Sequence, residues 1–279
     1  MLPVLFHFGP IKIYTFGVFL VLAFFWGSFL LWKNIRLTSY KEEEVFDGVF
    51  IGLAGGLFLA RLFYVILNFK DFGFNLLKFI LINGYPGLSL YGFVLGFLFF
   101  LYLFLSIKKI TFLVAIDYFV GPAFLSLAFG KLGAFFSGTE VGTKTNFFLA
   151  IKYTGFESNR HLVGFYEGLL FFLGFYLAQK ILFEIRREKL FNGFLLIFFI
   201  WYLSLIYFLF DKIKVNHLYL KAQSFNLTVS KILLLTTSVY FIYYFRELIK
   251  NYGQKIFQSI YLTAKRIVRK AKRRNLKKD

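Results

Sequence analysis

Ionisable side chains lie inside or beside strongly apolar stretches of the sequence at only a few positions. A charge at membrane depth costs about 2.5–3.5 kcal/mol on insertion scales, so its retention there indicates a function. Arginine and lysine can bind a phosphate group, whereas histidine and glutamate can accept or donate a proton. The residues of these types are Arg61, Lys131, Glu140, His161 and Glu167. We expect them to line a polar cavity in which Arg61 and Lys131 bind an anionic lipid head group.

A purely structural explanation of the same charges is also open. Arg61 and Glu167 could form an ion pair whose only role is to satisfy two buried charges. His161 could equally be a structural histidine of a polar loop. Lys231 stands at the start of the last apolar stretch and is expected to extend its amine into water, so it is not a site candidate.

The segments that must position these residues are more apolar than one water-soluble core allows. The chain has 279 residues, of which 59% are hydrophobic, whereas a soluble domain is about 45–50% apolar. A helix needs about 20 mostly apolar residues to span a bilayer. Seven stretches meet this condition: 12–32, 47–68, 87–106, 112–136, 163–183, 193–211 and 226–245. The sequence therefore predicts an all-α, polytopic membrane protein with about seven transmembrane helices.

Residues between and after the spans predict the orientation and the division of the chain. Lysine and arginine are concentrated after the first, third, fifth and seventh spans, which indicates an outer N-terminus and a cytoplasmic C-terminus. Residues 1–245 then form the transmembrane domain, with the loop 137–162 on the outer face and an interfacial segment at 69–86. Residues 246–279 form a basic cytoplasmic tail.

The formal net charge of +19 points to a membrane surface rather than to nucleic acid. About a dozen lysines and arginines follow Phe245 directly after an apolar stretch. Such a juxtamembrane basic segment is attracted to anionic lipid of the inner leaflet. We therefore expect contact with inner-leaflet lipid and no binding of nucleic acid.

Composition excludes several kinds of site. The chain has no cysteine, which rules out disulfides, thiolate metal sites and a cysteine nucleophile. It has three histidines and no cluster with the spacing of metal ligands. No metal and no cofactor are expected.

Small residues four positions apart predict faces where helices pack closely. They form three sets: Gly52/Gly56/Ala60, Gly92/Gly96 and Gly133/Ser137.

Motifs over most of residues 8–245 resemble, in the same order, those of the bacterial prolipoprotein diacylglyceryl transferases. The chain opens on a Gly-Pro-hydrophobic start and continues with stretches similar to the family's GGR-x-x-YV, GG-x-S-x-[HY]-GG-x-x-G, G-R-x-G-x-F-x-x-G-x-x-x-G and H-P-x-Q-x-YE motifs. The matching stretches are Gly9–Gly17, Gly55–Val65, Pro86–Gly96, Gly130–Gly142 and His161–Glu167.

The resemblance implies a multi-pass enzyme of the bacterial plasma membrane. Such an enzyme transfers the diacylglyceryl group of phosphatidylglycerol to the cysteine thiol of a prolipoprotein signal peptide and expels glycerol phosphate. Family members need no metal or cofactor, and the nucleophile belongs to the peptide. The absence of cysteine from this chain is compatible with that chemistry.

Site residues carried over from the family fall into three groups. Arg61 and Lys131 would bind the lipid phosphate, with lysine standing where the family usually has arginine. The candidates for catalysis are Tyr91, Glu140 and His161. Of these, Tyr91 matches a histidine of some members. The supporting residues would be Tyr64, Gly138, Tyr166 and Glu167.

The chain departs from the family at several of these positions. Ala134 stands where the family has Asn or Cys, and Leu162 and Gly164 replace the Pro and Gln of the histidine motif. Leu203 and Tyr207 stand where the family often has an Arg and a Glu in the sixth span. These losses leave open a lipid- or peptide-binding protein without catalysis on the same scaffold. A transporter is the third possibility, although no repeat of the half-chain is visible.

Overall fold

Seven long apolar helices account for most of the structure, as the sequence predicts. The computed structural model describes residues 2–9, 11–82, 84–220, 223–247 and 250. The seven helices are α1 (Thr15–Ile35), α2 (Glu42–Leu67), α5 (Leu90–Ile107), α6 (Phe112–Ser137), α7 (Val163–Arg186), α8 (Phe194–Phe210) and α9 (Phe225–Tyr244). Each is long and apolar enough to cross a membrane, with α8 continued by a 3₁₀ turn at Asp211–Ile213. The chain is therefore a polytopic helical membrane protein.

An N-terminal hairpin replaces the start of the first predicted span. Strand β1 (Val4–Phe8) pairs antiparallel with β2 (Ile11–Tyr14), so helix α1 begins at Thr15 rather than near residue 12. The amide of Leu2 donates to the carbonyl of Phe136 over 3.0 Å. This contact holds the hairpin at the end of α6, which hydropathy alone does not predict.

The predicted small-residue faces are confirmed as sites of close helix packing. Helix α2 packs on α5, and α6 packs on both α1 and α7. A Cβ atom added to Gly96 would lie 3.0 Å from the Cα of Gly56, and one added to Gly92 would lie 2.9 Å from the carbonyl oxygen of Leu59. Helices in lipid associate through such close approaches because lipid tails remove the hydrophobic drive.

The segment between α2 and α5 is short helical structure rather than a span. It contains α3 (Phe69–Phe72) and α4 (Leu76–Ile80), and Asn75 caps α4 by accepting from the amides of residues 77 and 78. The side chains of Leu76, Leu77 and Ile80 in α4 are exposed, which suits the predicted interfacial position.

The connection between α6 and α7 is folded into short paired strands. Strand β3 (Ala150–Lys152) pairs with β4 (Asn159–His161), and isolated bridges join Gly142 to Lys214 and Lys144 to Arg160. Another hairpin, whose strands β5 (Tyr219–Leu220) and β6 (Gln223–Ser224) have two residues each, precedes α9. The expectation of a loop without a span at 137–162 is confirmed.

The chain divides into two units within α9, at residues 1–234 and 235–279. All the residues of the candidate site belong to the first unit. The predicted basic tail at 246–279 lies outside the described residues apart from 246, 247 and 250.

Candidate functional site

Three segments meet at the end of α6 and bring distant charges together. Helix α6 ends at Gly138, whose φ of 73° lies in the left-handed region that favours glycine. The chain then runs alongside the segment that follows α8. The amide of Thr143 donates to the carbonyl of Ile213 over 2.8 Å, and the amide of Val215 donates to Val141 over 3.2 Å. This pairing sets Glu140 and Lys214 side by side.

Four charged side chains form a closed cycle that we call the Lys–Glu ring: Lys131, Glu140, Glu167 and Lys214. The amine of Lys131 lies 2.8 Å from a carboxylate oxygen of Glu140 and 2.6 Å from one of Glu167. The amine of Lys214 lies 2.8 Å and 2.7 Å from the second oxygens of the same two carboxylates. Each amine therefore bridges both carboxylates.

The ring is buried and electrically neutral. The side chain of Glu167 is 0% exposed and that of Lys214 is 7% exposed, while those of Lys131 and Glu140 are 16% and 21% exposed. Two positive and two negative charges cancel, which is how an apolar surrounding tolerates them. Removal of one partner from a buried pair costs about 3–5 kcal/mol because it leaves an uncompensated charge.

Glu140 and Lys214 lie outside the helices, and their neighbours in the site keep both side chains ionised. Burial alone would raise the pKa of the Glu140 carboxyl, but Lys131 and Lys214 lower that pKa to about 2. Burial and Lys131 would lower the pKa of the Lys214 amine, yet Tyr207 and the two carboxylates of the ring raise it above its ordinary value. At neutral pH, Glu140 is consequently a poor proton acceptor and Lys214 is a cation.

Aromatic rings form one wall of the site. The amine of Lys214 lies 4.3 Å from the ring centroid of Tyr207, and that of Lys131 lies 5.4 Å from it. The ring of Tyr91 is 6.2 Å from that of Tyr207, and its hydroxyl lies 2.6 Å from that of Ser230. Tyr91 is thus buried between α8 and the start of α9, and the ring of Tyr207 lies between it and the two lysines.

An apolar cavity of about 530 Å³ adjoins the ring. Helices α1, α2, α5, α6 and α8 line it, and Lys131 is the single charged side chain among the described residues that do so. Ala134 and Leu203, two positions where the chain departs from the family, also line it. A long apolar chain fits such a cavity with its polar end at Lys131.

Arg61 lies elsewhere and is fully engaged. Its guanidinium donates to the carbonyls of Lys78, Phe79 and Gly87 over 2.7, 2.9 and 2.9 Å, respectively. Its carbon Cζ also lies 5.8 Å from the ring centroid of Tyr64. The ion pair of Arg61 with Glu167, one example of a purely structural pairing, does not form, because Glu167 pairs with the two lysines of the ring.

Tyr166 and His161 lie where the loop between α6 and α7 meets α7. The hydroxyl of Tyr166 donates to the carbonyl of Leu149 over 2.8 Å, which holds the loop against α7. His161 lies in β4, where its amide donates to the carbonyl of Thr143 over 3.1 Å and its imidazole faces Phe147 with the two rings 6.2 Å apart. His161 therefore supports, through Thr143, the strand that carries Glu140.

Lys214 was not singled out as a site residue from the sequence. The signal that could have found it is its place directly after an apolar span that lacks the two charges expected at Leu203 and Tyr207. No three His, Asp or Glu side chains come together as a metal site in the part of the chain that the structure describes.

Comparison with known proteins adds a family to this geometry. The sequence profile of the prolipoprotein diacylglyceryl transferase family matches residues 3–244. A phosphatidylglycerol–prolipoprotein diacylglyceryl transferase of Clostridium tetani is 30% identical over 165 residues, which cover 58% of this chain and 66% of that protein. The enzyme of the same name from Fusobacterium nucleatum is 31% identical over 145 residues, covering 52% of this chain and 50% of the relative. That of Finegoldia magna is 26% identical over 241 residues, covering 86% and 95%.

Proposed function

Because the chain belongs to the prolipoprotein diacylglyceryl transferase family, we propose that it transfers the diacylglyceryl group of phosphatidylglycerol to the cysteine thiol of a prolipoprotein signal peptide. The thiol sulfur attacks a glyceryl carbon of the lipid and forms a C–S bond. The C–O bond to phosphate breaks, and glycerol phosphate leaves with the electron pair. The observation that carries this proposal is a buried pair of cations beside an apolar cavity, since the substrate combines a phosphate with two acyl chains.

The cavity suits the diacylglyceryl part of the substrate. Its volume of about 530 Å³ and its apolar lining from five helices match acyl chains that enter from the membrane. Lys131, at its boundary with the Lys–Glu ring, would then lie next to the lipid phosphate. Leu203 adds apolar surface there, where an arginine would add charge.

Lys131 and Lys214 are proposed to stabilise the leaving phosphate. Charge develops on the departing oxygen, and donors fixed in advance within a water-poor site stabilise it most effectively. The carboxylates of Glu140 and Glu167 hold the two amines in place and compensate their charge before the lipid binds. The same carboxylates help to raise the pKa of the Lys214 amine and so keep it protonated.

Arg61 enters this proposal as a positioning residue rather than as a phosphate ligand. Its three hydrogen bonds tie α2 to the segment that leads into α5, which carries Tyr91. Gly87, one of the acceptors, has a φ of 145° and packs against Tyr64. Tyr64 and Arg61 thus fix the same turn.

The test is a product assay on the purified full-length chain in phosphatidylglycerol vesicles with a lipobox peptide. We expect a thioether-linked diacylglyceryl peptide by mass spectrometry, and none with phosphatidylcholine vesicles or with serine in place of the peptide's cysteine. Lys131→Met should lower turnover by about 100-fold or more, the usual effect of losing one such donor. Lys152→Met, at an exposed lysine of β3, is the matched control and should keep full turnover.

Two results would contradict the proposal. If the chain binds lipid and peptide but forms no product, it is a binding protein without catalysis on the same scaffold. Equal turnover of Lys131→Met and Lys152→Met would remove the ring from the reaction.

A further inference from the structure

A buried carboxylate and a partly exposed imidazole form a second ionisable pair, on the segment that also carries Lys214. Asp211 directly follows α8 and its side chain is 1% exposed, and His217 lies six residues further on with its side chain 15% exposed. The Nδ1 atom of His217 lies 3.4 Å from Oδ2 of Asp211. The carboxylate of the pair is therefore buried in the protein interior, whereas its imidazole is partly exposed.

Nothing else among the described residues satisfies this pair. Neither carboxylate oxygen of Asp211 nor the Nδ1 of His217 has a hydrogen-bond partner. Among the described residues, His217 is the ion-pair partner of this buried carboxylate, at 3.4 Å, a distance longer than an ordinary hydrogen bond. A carboxylate that faces one imidazole nitrogen orients the ring and stabilises its protonated form, which is the arrangement of a general base.

The pair lies against the aromatic wall of the candidate site. The amide of Lys214 donates to the carbonyl of Asp211 over 3.1 Å, so one short turn carries both a ring lysine and the carboxylate. The amide of Asp211 also donates to the carbonyl of Tyr207, whose ring is 6.2 Å from that of Tyr91. Tyr207 contacts both lysines of the ring.

The proposed reaction needs a proton acceptor that the other candidates do not supply. A free thiol has a pKa of about 8.5 and is mostly protonated at neutral pH. Glu140 is held ionised between two lysines, which makes it a weak base. The hydroxyl of Tyr91 is engaged with Ser230, and an ordinary tyrosine is a poor acceptor at neutral pH.

We propose that His217 accepts the proton of the substrate thiol and that Asp211 orients it. This inference rests on the proposed function. The proton passes from sulfur to the Nε2 of His217, and the thiolate displaces glycerol phosphate from the glyceryl carbon. The imidazolium then returns the proton to water, to which the side chain is partly exposed. Asp211 acts through His217 and is a positioning residue.

An acceptor peptide with selenocysteine in place of cysteine separates this role from a structural one. A selenol is already ionised at neutral pH, so it needs no base. We expect His217→Gln to lower turnover of the cysteine peptide by about 100-fold or more, the usual contribution of a general base. Turnover of the selenocysteine peptide should fall by far less. Asp211→Asn should likewise lower turnover of the cysteine peptide more than that of the selenocysteine peptide.

The controls keep each outcome decisive. His7→Gln, at an exposed histidine of β1, should match the unaltered chain with both peptides. Equal losses of His217→Gln on the two peptides, or no loss on the cysteine peptide, would overturn the role of His217 while leaving the proposed function intact. Failure of the unaltered chain to modify either peptide would overturn both.

Discussion

Lys214 is the residue whose importance only the three-dimensional structure reveals. The family resemblance led us to expect an arginine and a glutamate in the sixth span, at Leu203 and Tyr207, and neither charge is there. A cation nevertheless lies 4.3 Å from the ring of Tyr207, because Lys214 reaches back from just beyond the end of α8. Lys214 thus supplies, from another position in the sequence, a positive charge beside α8 where the family resemblance led us to expect an arginine.

The sequence could not predict the pairing of Lys214 because the pairing depends on a long-range contact. Glu140 follows α6, whereas Lys214 follows α8, and the hydrogen bonds between the segments 141–143 and 213–215 bring them together. Lys131 and Glu167 were more accessible to prediction. Each is a charge within or beside a long apolar run of its helix, which draws attention without any knowledge of its partner.

We predict that Lys214→Met destabilises the protein and abolishes most turnover. It would leave two buried carboxylates facing one amine, at a cost of about 3–5 kcal/mol. Lys212→Met, two residues away at an exposed lysine, should change neither property. Thermal unfolding in detergent and the product assay measure the two effects, and indistinguishable variants would show that the ring tolerates an unpaired charge.

The helices were predictable as elements, and their ends less so. Hydropathy located all seven, since each must bury about 20 apolar residues in lipid. It misplaced the first start because residues 11–14 are apolar enough for a helix but pair with β1 instead. Hydropathy measures transfer into lipid and contains no information about a strand partner.

Packing between α2 and α5 gives a prediction at the scale of elements. In Gly96→Val, the Cβ would lie 3.0 Å from the Cα of Gly56 and 2.8 Å from the Cβ of Leu59, so the helices must separate. Overpacking of this kind costs about 1–3 kcal/mol. Gly17→Val is the matched control, because a Cβ at Gly17 meets nothing within 4 Å.

The midpoint of thermal unfolding in detergent is the measurement for these two variants. We expect a lower midpoint for Gly96→Val and an unchanged one for Gly17→Val. Equal midpoints would mean that α2 and α5 adjust to a side chain between them at no cost.

At the scale of the whole molecule, the proposed reaction requires the Lys–Glu ring to face the side of the membrane on which the peptide's thiol is presented. The ring is built from the end of α6, the start of α7 and the segment after α8. These three ends share one face, and the bias of lysine and arginine predicts that this face is the outer one. Orientation is therefore a condition of the proposed function.

Cysteine labelling tests this orientation without background, because the chain itself has no cysteine. We predict that a membrane-impermeant maleimide labels Glu157→Cys in intact cells, since Glu157 is an exposed residue of the loop between α6 and α7. Lys108→Cys, exposed after α5, should be labelled only after permeabilisation. Product formation by each variant shows that it is correctly folded. The reverse pattern of labelling would place the ring at the cytoplasmic face and overturn the predicted topology.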